Sequence, residues 1–130
     1  MTAVDTNVVV RLLTGDDPRQ AAAARLLFAS KPVWLAKTVL LETAWVLRSL
    51  YALSDSAVYG SFTKLLGLPN VHVEDSAAVS AALTLAAQGV EFDDALHLMS
   101  RSPGSTFVTF DKAIVRRARR AGIADVSSLP

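Results

Sequence analysis

The sequence predicts an α/β fold, in which a parallel sheet of four or five strands is covered by helices on both faces. Short apolar segments of strand type alternate with longer helical segments along the chain, and this alternation is typical of parallel sheets. Of the 130 residues, 52% are hydrophobic and 19% are charged, which is enough apolar material for one buried core. No repeat or linker interrupts the pattern, so one domain over residues 1–130 is expected.

The strands are predicted where short apolar runs end in turn residues. The first begins almost at the N-terminus, and the last is a short edge strand. The predicted strands cover residues 3–5, 33–36, 71–73, 106–110 and 125–127.

The helices are predicted from their apolar residues and from the signals at their ends. Asp17 is placed to cap a helix that has Pro18 at its first position. Glycines follow the ends of three other helices. The predicted helices cover residues 8–13, 20–29, 39–51, 55–66, 76–88, 94–100 and 112–121.

Composition excludes several classes of protein. The chain has no cysteine, which rules out disulfides and thiolate metal sites and fits a reducing compartment, so a cytoplasmic protein is expected. No signal peptide is expected, because the first strand begins almost at Met1. The most apolar stretch, residues 33–50, contains Lys37, Glu42 and Arg48, so no membrane span is expected either. A net charge of +1 gives no overall field that draws the chain to nucleic acid.

Two acidic residues follow predicted strands directly. Asp5 ends the first strand and Asp111 comes just after the fourth. In an open parallel sheet, ligands bind beyond the carboxyl ends of the strands, so both side chains are expected on that rim. The alternative is that each carboxylate simply caps the helix that follows it.

Glu42 lies in a strongly apolar helix, residues 39–51. A helix that is apolar nearly all round is expected to be buried. A buried carboxylate is costly unless it is neutral, paired or bound to a metal. The alternative to a metal ligand is a salt bridge to Arg11 or Arg48.

Asp93 and Asp94 begin a short helix. One of them is expected to be the N-cap, and the other then lies in the first turn. His97 is nearly one helical turn beyond Asp94, and it is interpreted as a structural residue, as is His72 in the third strand. A set of carboxylates without cysteine suits hard cations such as Mg²⁺ or Mn²⁺.

The segments that carry these acids resemble, in order, the four motifs of the PIN-domain nucleases. The closest resemblance is to the VapC-type ribonuclease toxins of bacterial toxin–antitoxin pairs. The matching segments are residues 4–8, 39–47, 92–98 and 106–111.

This resemblance implies a sheet in the order 3-2-1-4-5 and an endoribonuclease that depends on Mg²⁺ or Mn²⁺. It implies that Asp5, Glu42, Asp94 and Asp111 bind metal and act in catalysis. Asp94 is preferred to Asp93 because it directly precedes Ala95, as the family's acid usually does, and whether Asp93 shares its role stays open. Residues placed to support the acids or to contact substrate are Thr6, Asn7, Asp93 and Thr109.

Other functions compete with this interpretation. A phosphotransfer receiver module also has a doubly wound fold, and Glu74, Asp75 and Lys112 fit it in part. A receiver module would not explain the carboxylate of Glu42 in the helix of residues 39–51. A phosphatase of the haloacid dehalogenase type would need a second Asp where Asn7 stands. A non-catalytic binding module on the nuclease scaffold is the third alternative.

Partners are expected on two surfaces. Arg116, Arg117, Arg119 and Arg120 crowd the last helix, and they either form a solvated face or contact RNA or a partner. The resemblance implies a homodimer and a small cognate antitoxin. An exposed apolar patch is expected at the end of one helix and on the next. Its residues are Leu50, Tyr51, Ala52, Leu53, Val58, Tyr59 and Phe62.

Overall fold

The computed structural model describes residues 1–130 and has an α/β fold, as predicted. The chain has seven helices and five strands, and each strand is separated from the next by one or two helices. The strands are β1 (Thr2–Ala3), β2 (Val33–Leu35), β3 (Val71–Val73), β4 (Phe107–Thr109) and β5 (Val126–Ser128). The helices are α1 (Thr6–Thr14), α2 (Pro18–Ser30), α3 (Lys37–Ser49), α4 (Asp55–Leu66), α5 (Ser76–Ala87), α6 (Phe92–Met99) and α7 (Lys112–Arg120).

The chain divides into two compact units, Met1–Ser76 and Ala77–Pro130. The first contains a three-stranded parallel sheet in the order β1-β2-β3, and the second contains the parallel pair β4-β5. These ladders supply the neighbours 3-2, 2-1 and 4-5 of the predicted strand order. The edge strand predicted near the C-terminus is confirmed as β5.

The core of the first unit follows from the alternation of side chains along β2. Val33 and Leu35 are fully buried, whereas Trp34 between them is on the opposite face and is 37% exposed. Phe62 and Leu40 on the helices are also fully buried. Large apolar side chains thus gather on one face of this sheet, as the period of two in a strand requires.

The second unit has its own buried residues. Phe92 and Leu98 of α6 are fully buried, as is Val79 of α5. On α7, Ile114 and Ala118 lie one turn apart on the apolar side. The arginines of this helix are therefore left on its solvent side.

The predicted cap of α2 is confirmed, and of the two candidates for the cap of α4, Ser54 and Asp55, the structure selects Ser54. Asp17 Oδ1 accepts a hydrogen bond of 3.0 Å from the Gln20 backbone N–H, and Pro18 is the first residue of α2. Ser54 Oγ accepts from the Ala57 backbone N–H at 3.2 Å and caps α4. These contacts satisfy backbone donors that have no partner within the helix.

The expected apolar patch is wrong in part. Val58 and Phe62 are fully buried, because they lie on the inward side of α4. Leu50 and Leu53 remain exposed, by 69% and 38%. None of the helices has the length and apolar character needed to cross a bilayer.

Candidate functional site

Asp5 both follows the first strand and caps α1. Its extended backbone (φ −90°, ψ 176°) precedes the helix, and Oδ1 accepts a hydrogen bond of 3.3 Å from the Val8 backbone N–H. The capping interpretation is therefore correct. The cap uses one carboxylate oxygen, so the other remains available to a ligand.

Thr6 links Asp5 to the carboxylate of Glu42. The Thr6 side chain is buried, and its hydroxyl donates a hydrogen bond to Glu42 Oε1. Asp5, Thr6, Asn7, Glu42 and Val46 line a cavity of about 180 Å³. Residues 36 positions apart in the chain thus form one acidic pocket in the first unit.

The prediction that Glu42 is buried is wrong. Glu42 is exposed, and Trp45, three residues further along α3, is 56% exposed. An apolar helix can leave large side chains in solvent, because apolar atoms make up much of any protein surface.

The alternative interpretation of Glu42, a salt bridge to Arg11 or Arg48, is not observed. Arg11 pairs with Asp16 at 2.9 Å, and Arg48 Nη1 lies 3.6 Å from Asp55. Both arginines are engaged by aspartates near the ends of other helices. The one hydrogen bond that orients the Glu42 carboxylate comes from a neutral hydroxyl.

A second acidic group opens α6. The N-cap position is held by Glu91, whose side chain makes no capping hydrogen bond, so the prediction that Asp93 or Asp94 caps this helix is wrong. Both aspartates lie in the first turn, and the Asp94 backbone N–H donates to Asp93 Oδ1 at 2.8 Å. The positive end of the helix dipole favours carboxylates at this position.

Glu91, Asp93 and Asp94 each offer a carboxylate oxygen, and these oxygens lie within 4.8 Å of one another. Burial raises the pKa of Asp94, and the charges of Asp93 and Glu91 raise it further, with a smaller effect from Asp111. Such a group gains from a cation that neutralises it. Glu91 was not predicted to belong to this group. Its position two residues before Asp93 is the feature of the sequence that could have indicated it.

Asp111 caps α7 with one oxygen. Its Oδ1 accepts from the backbone N–H groups of Ala113 at 2.9 Å and Ile114 at 3.3 Å. The Asp111 backbone N–H donates to Thr109 Oγ1 at 3.0 Å. Thr109 therefore fixes the turn that carries this carboxylate.

The predicted acids fall into two sets. The first unit brings Asp5 and Glu42 to one pocket. The second unit holds Asp94 and Asp111, which interact electrostatically. His97 is exposed on α6.

The residues that suggested a phosphotransfer module have other partners. Glu74 Oε1 accepts a hydrogen bond of 2.9 Å from the Lys37 backbone N–H at the start of α3. Asp75 forms an ion pair of 3.1 Å with the Lys37 ammonium group. These acids therefore anchor a helix terminus, and this use counts against the receiver interpretation.

Comparison with known proteins gives one family. The family model described as "PIN domain" matches residues 2–120, a segment that includes both acidic sets. The comparison with curated proteins gives no match.

Proposed function

The chain belongs to the PIN domain family, and from that premise we propose that it is an endoribonuclease that depends on Mg²⁺ or Mn²⁺. PIN domains are generally metal-dependent nucleases. The observation that carries the proposal is the acidic pocket of Asp5 and Glu42, which is lined mainly by polar side chains and is reached from solvent. The second acidic set, around Asp94, supports it.

The chemistry of the donor groups fits a hard divalent cation. The candidate groups are carboxylates, and oxygen ligands suit Mg²⁺ and Mn²⁺. The proposed ligands are Asp5, Glu42, Asp94 and Asp111, and Asp93 and Glu91 add negative charge beside Asp94. A bound ion of this kind activates water and neutralises charge that develops on the phosphate oxygens.

The chain's own residues prepare these carboxylates. The Thr6 hydroxyl holds Glu42 in one orientation, and the caps of α1 and α7 fix Asp5 and Asp111 while leaving oxygens free. Asn7 lines the same pocket and offers an amide to a substrate phosphate or ribose.

A biological role can be proposed for this nuclease. We propose a cytoplasmic toxin of a type II toxin–antitoxin pair, folded as one domain over residues 1–130 and paired with a small antitoxin. Leu50 and Leu53 remain exposed and supply an apolar contact for a homodimer. Sedimentation at micromolar concentration tests the dimer, and a monomer without partner would contradict it.

RNA cleavage with purified protein tests the central proposal. Cleavage is expected with Mg²⁺ or Mn²⁺ and none after chelation. Asp5→Asn keeps a good helix cap but removes the charge, so cleavage is expected to fall about 100-fold or more. Asp17→Asn is the matched control, since Asp17 caps α2 in the same way. Equal loss in both variants, or full activity of Asp5→Asn, would contradict the proposal.

A further inference from the structure

Helix α7 carries a row of cations on one side. Lys112, Arg116 and Arg120 follow one another at intervals of four residues and are all exposed. A helix rises about 1.5 Å per residue, so successive cations are about 6 Å apart along its axis. We call these three residues the cationic row.

No ion pair engages this row. The three ion pairs of the chain involve α1, α3 and residues near them, and none involves α7. Like charges four residues apart on a helix repel one another. The row therefore has free charge to offer an anion.

Helix stability does not explain the whole row. Arg120 lies in the last turn, where a cation is favoured by the helix dipole. Lys112 is the first residue of the helix, where the dipole disfavours a cation. Arg116 lies between them. The helix dipole therefore accounts for Arg120 and leaves Lys112 and Arg116 without a role in the stability of the helix.

The row begins beside Asp111, which is one of the proposed metal ligands. Lys112 directly follows Asp111. The neighbouring Arg117 packs on the loop before α6, where a methyl group added at Gly89 would lie 3.6 Å from its Nε. Gly89 precedes Glu91 of the acidic group by two residues. The start of α7 at Asp111 and the packing of Arg117 near Gly89 both place this helix beside acids of its own unit.

The chemistry of the row favours a nucleic acid over an acidic protein segment. The centres of protein interfaces are enriched in aromatic and other large apolar side chains. The large apolar residues of α7, Ile114 and Val115, are 6% exposed, so its solvent side offers charge alone. Regularly spaced charge of one sign suits a phosphate backbone.

We propose that the cationic row binds the phosphate backbone of a single-stranded RNA and guides it to the acidic group of α6 in the same unit. This inference rests on the proposed function for the identity of the RNA as substrate. The binding itself needs no cleavage and is tested separately.

The test measures the affinity for a labelled single-stranded RNA oligonucleotide at several salt concentrations, in the presence of a chelator so that no cleavage occurs. Each phosphate contact on a single strand adds about 0.7 to the slope of log affinity against log salt. Arg116→Gln combined with Arg120→Gln is expected to reduce that slope by about 1.4. Arg116→Lys combined with Arg120→Lys keeps the charge and is expected to keep the slope.

The matched control is Arg19→Gln combined with Arg25→Gln, which removes the same charge from exposed positions of α2. Its slope is expected to stay close to that of the wild type. An equal fall in both double variants, or competition by poly-glutamate as effective as competition by unlabelled RNA, would overturn the proposal. If the double variant of α7 fails to fold by circular dichroism, Arg120→Gln alone is expected to lower the slope by about 0.7, and an unchanged slope would overturn it.

Failure of the nuclease proposal is distinguishable from failure of this one. If the α7 variants alone change the slope of log affinity against log salt and no metal-dependent cleavage is found, the cationic row is an RNA-binding surface of a protein that is not a nuclease. If metal-dependent cleavage is found and the slope is unchanged in the α7 variants, the nuclease proposal is supported and the proposal that the cationic row binds RNA is rejected.

Discussion

Asp16, in the loop between α1 and α2, accepts hydrogen bonds from two side chains of α1 and from Tyr51, which follows α3. Tyr51 donates at 2.6 Å, Thr14 at 2.9 Å, and Arg11 at 2.9 Å and 3.0 Å. These contacts lower the pKa of Asp16 from 3.8 to about 2, with the Tyr51 hydroxyl as the largest cause. One exposed carboxylate thus joins the α1–α2 loop to the residue that follows α3.

Because the pKa of Asp16 is lowered by folding, its contribution to stability is present above pH 3.8 and is lost as the pH falls towards 2. Tyr51→Phe removes the hydrogen bond that lowers the pKa of Asp16 most, so this pKa is expected to rise towards 3.8. The part of the stability that Asp16 loses in acid is then expected to be smaller. Carboxyl NMR titration measures the shift directly. Tyr59→Phe is the control, and an Asp16 titration unchanged by Tyr51→Phe would refute the assignment.

Thr6 is expected to act as a positioning residue for Glu42. Thr6→Val keeps the shape but removes the hydroxyl, and the loss of such a supporting hydrogen bond typically weakens metal binding about 10–100-fold. Calorimetric titration with Mn²⁺ measures this affinity. Thr6→Ser restores the donor and is expected to restore most of the affinity. If Thr6→Val binds as tightly as Thr6→Ser, the hydroxyl has no such role.

Among the helices, the N-caps of α2 and α4 could be predicted from sequence because these caps are local, whereas the cap of α6 was not. Asp17 and Ser54 act through backbone groups three residues away, so sequence proximity alone brings the partners together. The exposure of Glu42 could not be predicted, because it depends on which side of α3 packs inward. The same reason explains Val58, which is buried on α4 although it was expected at the surface.

The cap of α4 gives a stability test at this scale. Ser54→Ala is expected to destabilise the protein by about 1 kcal/mol, because the Ala57 backbone N–H loses its acceptor. Urea unfolding measures the change. Ser61→Ala is the control, because the Ser61 hydroxyl donates to the Ala57 carbonyl within the helix and caps nothing. Equal effects of the two substitutions would contradict the capping role.

For the molecule as a whole, the sequence predicted the α/β class, the parallel pairing and the positions of the acids after β1 and β4. These follow from periodicity and from the order of the elements. Glu91 was missed because its place beside Asp93 and Asp94 depends on where α6 begins, and helix boundaries are uncertain by a few residues from sequence alone.

Divalent metal is expected to stabilise the whole protein. Binding to the folded state contributes RT ln(1 + [L]/Kd), about 2.7 kcal/mol when the metal concentration is 100 times Kd. Thermal unfolding with Mn²⁺ and with chelator measures the gain. Asp94→Asn is expected to reduce it, because this carboxylate lies in the acidic group of α6. Lys31→Gln, an exposed change outside both acidic sets, serves as the control. Equal gains in Asp94→Asn and wild type would exclude Asp94 as a ligand.

The distribution of tryptophan gives the molecule a built-in optical probe. Both tryptophans of the chain, Trp34 and Trp45, lie in the first unit, and the second unit has none. Tryptophan emission therefore arises in the first unit, whereas far-ultraviolet circular dichroism reports on the helices of both units. Trp45 lies three residues from Glu42 and is 56% exposed, so its emission is also open to quenching by a paramagnetic ion such as Mn²⁺ held at the acidic pocket. One unlabelled sample thus separates the melting of one unit from that of the whole chain.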